Sequence, residues 1–149
     1  MSKLYQYLGE GAARMVFALD DDSVIKIPKN SFGLYQNKLE NYIYENAEDR
    51  FKKYLCPILK LKPELMIAKR AIPIKDDTEY LNSLMIFCGS VTFYQDILDL
   101  CQKYYLSKVD IRATSSWGIL DGNKVLVDYG CPNKQGYRFY KKVIDSLSR

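Results

Sequence analysis

The chain has 149 residues, 48% of them hydrophobic, and its 22 basic and 18 acidic residues give a formal net charge of +4. A chain of this size and composition is expected to fold as one compact domain with a buried core. The basic residues are spread along the chain and form no clustered stripe with interleaved aromatic residues, so we expect no nucleic-acid partner.

The residue types also restrict the chemistry. The chain has no histidine, and its four cysteines form no CxxC pair, which argues against a zinc site. Without an imidazole, Ser-His-Asp and Cys-His catalysis are excluded, so any reaction must depend on carboxylates, lysines or metal ions. The sequence shows no signal-like apolar start and no stretch of the roughly 18 apolar residues that a membrane span needs. We therefore expect no membrane partner and a cytoplasmic location.

Three short segments near the N-terminus predict an antiparallel meander. They have strand-like composition, and glycine and aspartate turns separate them: residues 4–8, 14–19 and 23–28. From Ser31 to about Lys53 the apolar residues recur at helical spacing, with Ser31 as the expected N-cap and a break near Asn46. Two further strands, residues 57–59 and 65–68, follow this helix and bring the expected total to five.

The second half of the sequence is predicted to be mostly helical. Helices are expected over three segments: residues 78–87, 91–105 and 137–147. Residues 117–120 and 124–127 predict a short hairpin that turns at Asp121-Gly122. We therefore expect a single domain with an N-lobe over residues 1–70 and a smaller C-lobe over residues 71–149.

The first candidate for chemistry is a glycine hairpin followed by a lysine on a strand. Gly9 and Gly11 lie between the first two strands, and Lys26 lies on the third strand between Ile25 and Ile27. Glycines leave the backbone bare, so such a hairpin can lie over a triphosphate while the lysine reaches the phosphate oxygens. Two glycines are also typical of an ordinary turn, and this alternative stays open at this point.

Two carboxylates complete the set of candidates. Glu40 lies fourteen residues after Lys26 on the apolar side of the predicted helix, where it could hold the lysine ammonium in place. Asp128 ends an apolar strand and enters a turn at Gly130, a position from which a carboxylate could hold Mg²⁺ bound to phosphates. A surface charge on the helix and an ordinary turn aspartate are the alternatives.

The order of these motifs resembles that of protein kinases and kinase-like phosphotransferases. A glycine hairpin, a strand lysine, a helix glutamate, a hinge-like segment, helices, a short hairpin and Asp128-Tyr129-Gly130 follow one another over about residues 4–130, where kinases usually have Asp-Phe-Gly in the last position. The resemblance implies a protein-kinase-like α+β fold, with a five-stranded antiparallel N-lobe sheet and one helix. The truncated C-lobe would be mostly helical and carry a short β-hairpin.

The resemblance also implies ATP and Mg²⁺ as cofactors and gives each candidate residue a role. The nucleotide contacts would come from the glycine hairpin, the sheet, the helix and the hinge: Gly9, Gly11, Val16, Lys26, Glu40, Lys69 and Ala71. Lys26 would contact the phosphates and Glu40 would be its ion-pair partner, while the hinge, residues 69–72, would meet the adenine with backbone groups. Asp128 would bind Mg²⁺.

Three features depart from the kinase pattern. The expected catalytic aspartate is Asp110, but the metal-binding asparagine of kinases is replaced by Ser115 or Ser116, whose hydroxyl is a poorer Mg²⁺ ligand than an amide oxygen. Arg14 stands where kinases usually have the third glycine of the hairpin, which we interpret as a mild departure. Nineteen residues follow Gly130, so we expect no activation segment and no large lobe for docking a protein substrate.

The leading expectation is a pseudokinase, a regulatory or binding protein that keeps the fold and the ATP site without efficient phosphoryl transfer, and that has a host or regulatory protein as its partner. The first alternative is an active minimal phosphotransferase in which Asp110 positions an acceptor hydroxyl. The second is a small interaction protein with no nucleotide role. Compact kinase-like chains of this kind resemble proteins of bacteriophages and bacteria, which makes a phage protein a further expectation from the resemblance.

Overall fold

The computed structural model describes residues 4–74 and 91–147, and over these residues the chain has an α+β fold. Five antiparallel strands form the larger sheet: β1 (Gln6–Glu10), β2 (Arg14–Ala18), β3 (Ser23–Pro28), β4 (Ile58–Leu61) and β5 (Met66–Lys69). Their order across the sheet is β1-β2-β3-β5-β4. The five strands expected from the sequence are therefore present, with ends that differ from the predicted ones by at most two residues.

The N-cap of the helix between β3 and β4 is Asn30, one residue before the predicted Ser31. Helix α1 (Ser31–Asn46) has Asn30 as its N-cap, because Asn30 is extended and its side-chain oxygen accepts a hydrogen bond from the Gly33 amide at 3.0 Å. The helix ends at Asn46, where the sequence predicts a break. A single further turn, α2 (Asp49–Lys52), follows it.

A second, three-stranded sheet contains the predicted hairpin. Its strands, in spatial order, are β6 (Ile72–Pro73), β7 (Trp117–Leu120) and β8 (Asn123–Leu126). Asp121 and Gly122 both have positive φ angles, 52° and 81°, as expected for an Asp-Gly turn between twisted strands. The sequence does not predict β6, since two residues that include a proline carry no periodic signal and pair only because β7 lies beside them.

Residues 91–147 contain the helices α3 (Val91–Lys103), α4 (Lys108–Arg112) and α5 (Lys134–Leu147), with a 3₁₀ turn over Thr114–Ser116. Helices α3 and α5 correspond to the predicted segments 91–105 and 137–147. The helix predicted over residues 78–87 lies outside the described residues. None of the helices in residues 4–74 and 91–147 combines the length and the hydropathy of a membrane span.

One hydrophobic cluster joins the elements of the two halves. Leu39 and Ile43 of α1 are fully buried in it, together with Leu100 of α3, Leu126 of β8 and Tyr129 just after β8. Since Leu39 and Ile43 are four residues apart, they lie on one face of α1. Burial of this face holds α1 against the segment that follows β8, and it brings Glu40 to that segment.

Candidate functional site

The alternation of side chains along the strands places three residues on one face of the larger sheet. Arg14 and Val16 are two residues apart on β2 and therefore share a face. In the register between β2 and β3, Val16 lies directly opposite Lys26, so Lys26 shares this face as well. Arg14 and Lys26 are 6% and 7% exposed, which means that two cationic side chains are buried beside each other. Burial of this kind requires anionic partners.

Glu40 is the common partner of both cations. It is 0% exposed, and its Oε1 lies 2.9 Å from Nζ of Lys26. The guanidinium of Arg14 donates two parallel hydrogen bonds to the carboxylate, Nη1 to Oε1 at 3.0 Å and Nη2 to Oε2 at 2.7 Å. The ion pair that the sequence predicts between Lys26 and Glu40 is therefore present. Glu40 also pairs with Arg14, a second cation that the sequence does not predict for it.

The segment after β8 packs on the same carboxylate. The backbone amides of Tyr129 and Gly130 each donate a hydrogen bond to Oε2 of Glu40 at 3.1 Å. Lys26 donates to the carbonyl of Val127 in the same segment. Gly130 permits this contact, since a Cβ at that position would lie 2.9 Å from the backbone oxygen of Gln36 in α1. Glu40 thus connects β2, β3 and the segment after β8.

Arg14 also reaches Asp128. Its Nη2 lies 3.1 Å from Oδ1 of Asp128, and its Nη1 donates to Oδ1 of Asn37 at 3.0 Å. Asn37 is fully buried and its amide nitrogen donates to the backbone carbonyl of Lys26 at 3.3 Å. The guanidinium is therefore held by three side chains, and Arg14, Lys26, Glu40 and Asp128 together have a formal charge of zero.

The charges in this network change the pKa values of its members. Burial alone would raise the pKa of Glu40, but the positive charges of Arg14 and Lys26 outweigh it and lower that pKa from 4.5 to about 2. The pKa of Asp128 is raised, first because protein atoms surround its carboxyl group and second because Glu40 is negatively charged. Since 42% of the Asp128 side chain is exposed, water screens this effect.

The predicted catalytic loop lies next to Asp128. The backbone carbonyl of Ser116 accepts hydrogen bonds from the amides of Val127 and Asp128, at 2.8 and 3.4 Å. The Ser116 hydroxyl donates to the carbonyl of Asp110 at 2.6 Å, while the side chains of Asp110 and Ser115 are exposed. The fold therefore brings together the three segments that carry Asp110, Asp128 and the two serines.

The thiol of Cys131 lies beside Asp128. Its Sγ is 3.8 Å from Oδ1 of Asp128. Burial raises the pKa of the Cys131 thiol to about 12, with further contributions from the negative charges of Asp128 and Asp110. The thiol is therefore protonated at neutral pH and is not a reactive thiolate.

The glycine hairpin leaves open space beside its backbone, whereas the backbone of the first hinge residue, Lys69, is already hydrogen-bonded. A Cβ built on Gly9 or Gly11 would meet no atom within 4 Å, so the hairpin leaves open space beside its backbone. In the hinge, the Lys69 amide donates to the carbonyl of Pro57 at 2.9 Å and its carbonyl accepts from the Cys56 thiol at 3.2 Å. Because both backbone groups of Lys69 are engaged, a base that enters the hinge would have to meet residues after it, such as Ala71.

The donors at this site do not fit a magnesium ion. Mg²⁺ prefers an octahedron of oxygen ligands, usually with one or two carboxylates. Here Glu40 already accepts hydrogen bonds from Arg14, Lys26 and two amides, and the Ser116 hydroxyl is turned toward a backbone carbonyl. Among residues 4–74 and 91–147, no group of three or more cysteine, aspartate or glutamate side chains is placed to hold a metal ion.

Arg14 and Asn37 are not among the residues that the sequence predicts for the site. The interpretation of Arg14 as a mild departure understates its place, because its guanidinium contacts both carboxylates. Strand alternation could have predicted that Arg14 belongs to the site, since Arg14 is two residues from Val16 on β2 and therefore lies on the same face. Asn37 is three residues from Glu40, which places both on one face of α1.

A separate surface groove of about 460 Å³ lies between α1, α2 and β4, lined by Asn41, Tyr44, Glu45, Lys52 and residues 58–61. We call it the side groove; it is lined by none of the residues of the charged network.

No family model matches the chain, and a comparison with curated proteins also finds no match.

Proposed function

We propose that the chain is a kinase-like protein that binds a nucleotide in the cleft around Lys26 and has a regulatory rather than a catalytic role. The observation that carries the proposal is the arrangement around Glu40. This one buried carboxylate pairs with Lys26 and also accepts the amides of Tyr129 and Gly130, which follow Asp128. The resemblance to kinases implies the pair between Lys26 and Glu40 and expects Asp128 at the same cleft.

The surroundings of the cleft support the nucleotide part of the proposal. The hairpin at Gly9 and Gly11 leaves room beside a bare backbone, and backbone amides can approach phosphate oxygens closely where no side chain intervenes. Lys26 lies on the same sheet, opposite Val16, and supplies a positive charge. Ala71 lies between β5 and β6, where the resemblance places the hinge.

Two contacts favour a regulatory role over an enzymatic one. Asp128, the carboxylate expected to hold magnesium, already pairs with Arg14 at 3.1 Å. The Ser116 hydroxyl, the second expected ligand, donates to the carbonyl of Asp110. Phosphoryl transfer depends on electrostatic stabilisation of the transferred group, to which metal ions contribute strongly. A site whose candidate metal ligands are already occupied is suited to binding rather than to transfer.

A titration of thermal stability with ATP tests the proposal. At a nucleotide concentration of 100 times Kd, binding stabilises a fold by about 2.7 kcal/mol, which for a chain of this size raises the melting temperature by roughly 5–10 °C. We expect Lys26→Met to lose most of this shift, measured against its own melting temperature without nucleotide. Lys60→Met, a matched change of an exposed lysine on β4, should keep it. A melting temperature that ATP does not change in the unmodified chain contradicts the proposal.

An active phosphotransferase is the second candidate, and the position of Asp110 favours it. Asp110 is exposed, and its carbonyl accepts a hydrogen bond from Ser116, whose own carbonyl binds the amide of Asp128, so the segment of Asp110 lies next to that of Asp128. An exposed carboxylate near the cleft could accept the proton of an acceptor hydroxyl. Transfer of the γ-phosphate of ATP that is lost in Asp110→Ala but kept in Asp145→Ala, which changes an exposed aspartate on α5, would favour this enzyme over the regulatory protein.

A further inference from the structure

We infer that the guanidinium of Arg14 takes the place of a metal ion at this site, so that the chain binds nucleotide phosphates in their magnesium-free form. This inference rests on the proposed function and states which form of the nucleotide the site accepts. It starts from the finding that a single nitrogen, Nη2 of Arg14, contacts both carboxylates, Oε2 of Glu40 at 2.7 Å and Oδ1 of Asp128 at 3.1 Å.

The position of this guanidinium is fixed by the surrounding protein. Arg14 is 6% exposed, and its Nη1 donates to both Asn37 and Glu40 at 3.0 Å. A side chain held by parallel hydrogen bonds to one carboxylate and by single bonds to two further groups is not a mobile surface arginine. Its positive charge is a permanent part of the site, because arginine does not lose its proton in proteins.

A fixed positive charge at this point opposes a divalent cation. A magnesium ion bound to Asp128 would lie about 2 Å from a carboxylate oxygen that is itself 3.1 Å from Nη2 of Arg14. Like charges at such separations repel strongly in a partly buried site, and a doubly charged ion is repelled twice as strongly as a single charge. The donor set adds to this effect, since Oδ1 of Asp128 already pairs with Arg14 and the Ser116 hydroxyl already donates to the carbonyl of Asp110.

The same arrangement suits an anion. Asp128 is the most exposed member of the network and makes the longest of the three ion-pair contacts at 3.1 Å, so a phosphate group could replace it beside Arg14 while Glu40 keeps its pairs. A planar guanidinium matches the geometry of phosphate oxygens, and Lys26 adds a second positive charge nearby. When Asp128 gives way, Arg14 and Lys26 face the single buried carboxylate of Glu40, so one positive charge is left over to neutralise phosphate charge.

The dissociation constant of ATP, measured by calorimetry with excess EDTA and with excess Mg²⁺, tests this inference. For the unmodified chain we expect tighter binding in EDTA, because magnesium competes with Arg14 for the phosphates. In Arg14→Ala the order should reverse, since Asp128 is then free to accept the ion. Arg138→Ala, which removes an exposed arginine on α5, should behave like the unmodified chain.

A second measurement needs no variant and applies even if Arg14→Ala does not fold. Paramagnetic Mn²⁺ broadens the amide signals of nearby residues in NMR spectra. With ATP present, we expect Mn²⁺ to leave the amides of Asp128 and Tyr129 sharp. Broadening of these signals, or ATP binding that requires Mg²⁺, overturns the inference but leaves the proposed nucleotide site intact. Absence of ATP binding in both buffers overturns the proposed function and the inference with it.

Discussion

Replacement of Glu40 by glutamine removes the one charge on which the site depends. The carboxylate is fully buried and accepts five hydrogen bonds, from Nη1 and Nη2 of Arg14, from Nζ of Lys26 and from the amides of Tyr129 and Gly130. In Glu40→Gln the side chain keeps its shape, but two buried cations lose their shared anion and an NH₂ group faces donors instead of accepting from them. Removal of one partner of a buried ion pair costs about 3–5 kcal/mol.

Chemical denaturation measures this loss directly as a change in the free energy of unfolding. In a chain of 149 residues, each kcal/mol lost from the free energy of unfolding lowers the melting temperature by roughly 2–4 °C. The melting temperature of Glu40→Gln should therefore be lower by roughly 6–20 °C. Glu45→Gln is the matched control, because Glu45 is on the same helix but exposed, and it should change the free energy of unfolding by less than about 0.5 kcal/mol. A loss below about 1 kcal/mol in Glu40→Gln would refute the reasoning that Glu40 holds the three segments together.

Two further predictions concern the same site. Gly130→Ala should destabilise the fold by about 1–3 kcal/mol in denaturation experiments, because the added Cβ would lie 2.9 Å from the backbone oxygen of Gln36. Gly11→Ala is the control and should be nearly neutral, since its Cβ would meet no atom within 4 Å. Equal losses of stability in the two variants would contradict the close approach of α1 to Gly130. Stability should also fall as the pH drops from about 4.5 to about 2, since the pKa of Glu40 is about 2 in the folded chain and 4.5 ordinarily, so that the unfolded chain takes up the proton first. The difference in stability between the unmodified chain and Glu40→Gln should therefore shrink across this range, and a constant difference would show that Glu40 is not held as a carboxylate.

The part of the site that the sequence predicts depends on local patterns. Lys26 lies between two isoleucines on a strand, and Glu40 lies on the apolar side of a helix, so each side chain has a direction that periodicity determines. The Asp-Gly hairpin at residues 121–122 is predicted for a similar reason, since the turn type needs two residues that tolerate positive φ. For these features a short stretch of sequence contains the physical cause.

The remaining features depend on contacts between distant segments. The amides of Tyr129 and Gly130 reach Glu40 across about 90 residues of sequence, and no local pattern shows that a backbone amide will have a side-chain acceptor. Strand β6 exists because Ile72 pairs with Ile119 in β7. The role of Arg14 is an intermediate case: alternation places it on the face of Val16, but its pairing with Asp128 arises from the packing of the two halves.

The central claim is that a nucleotide binds in the cleft between the glycine hairpin, Lys26 and the segment after β8. NMR amide shifts recorded while ATP is added locate the binding site directly. The account predicts that the largest changes occur at Gly9, Gly11, Ala71 and Tyr129, which belong to the segments proposed to line the cleft. Changes confined to other residues, such as Tyr44 and Lys60 of the side groove, or no changes at saturating ATP, would contradict it.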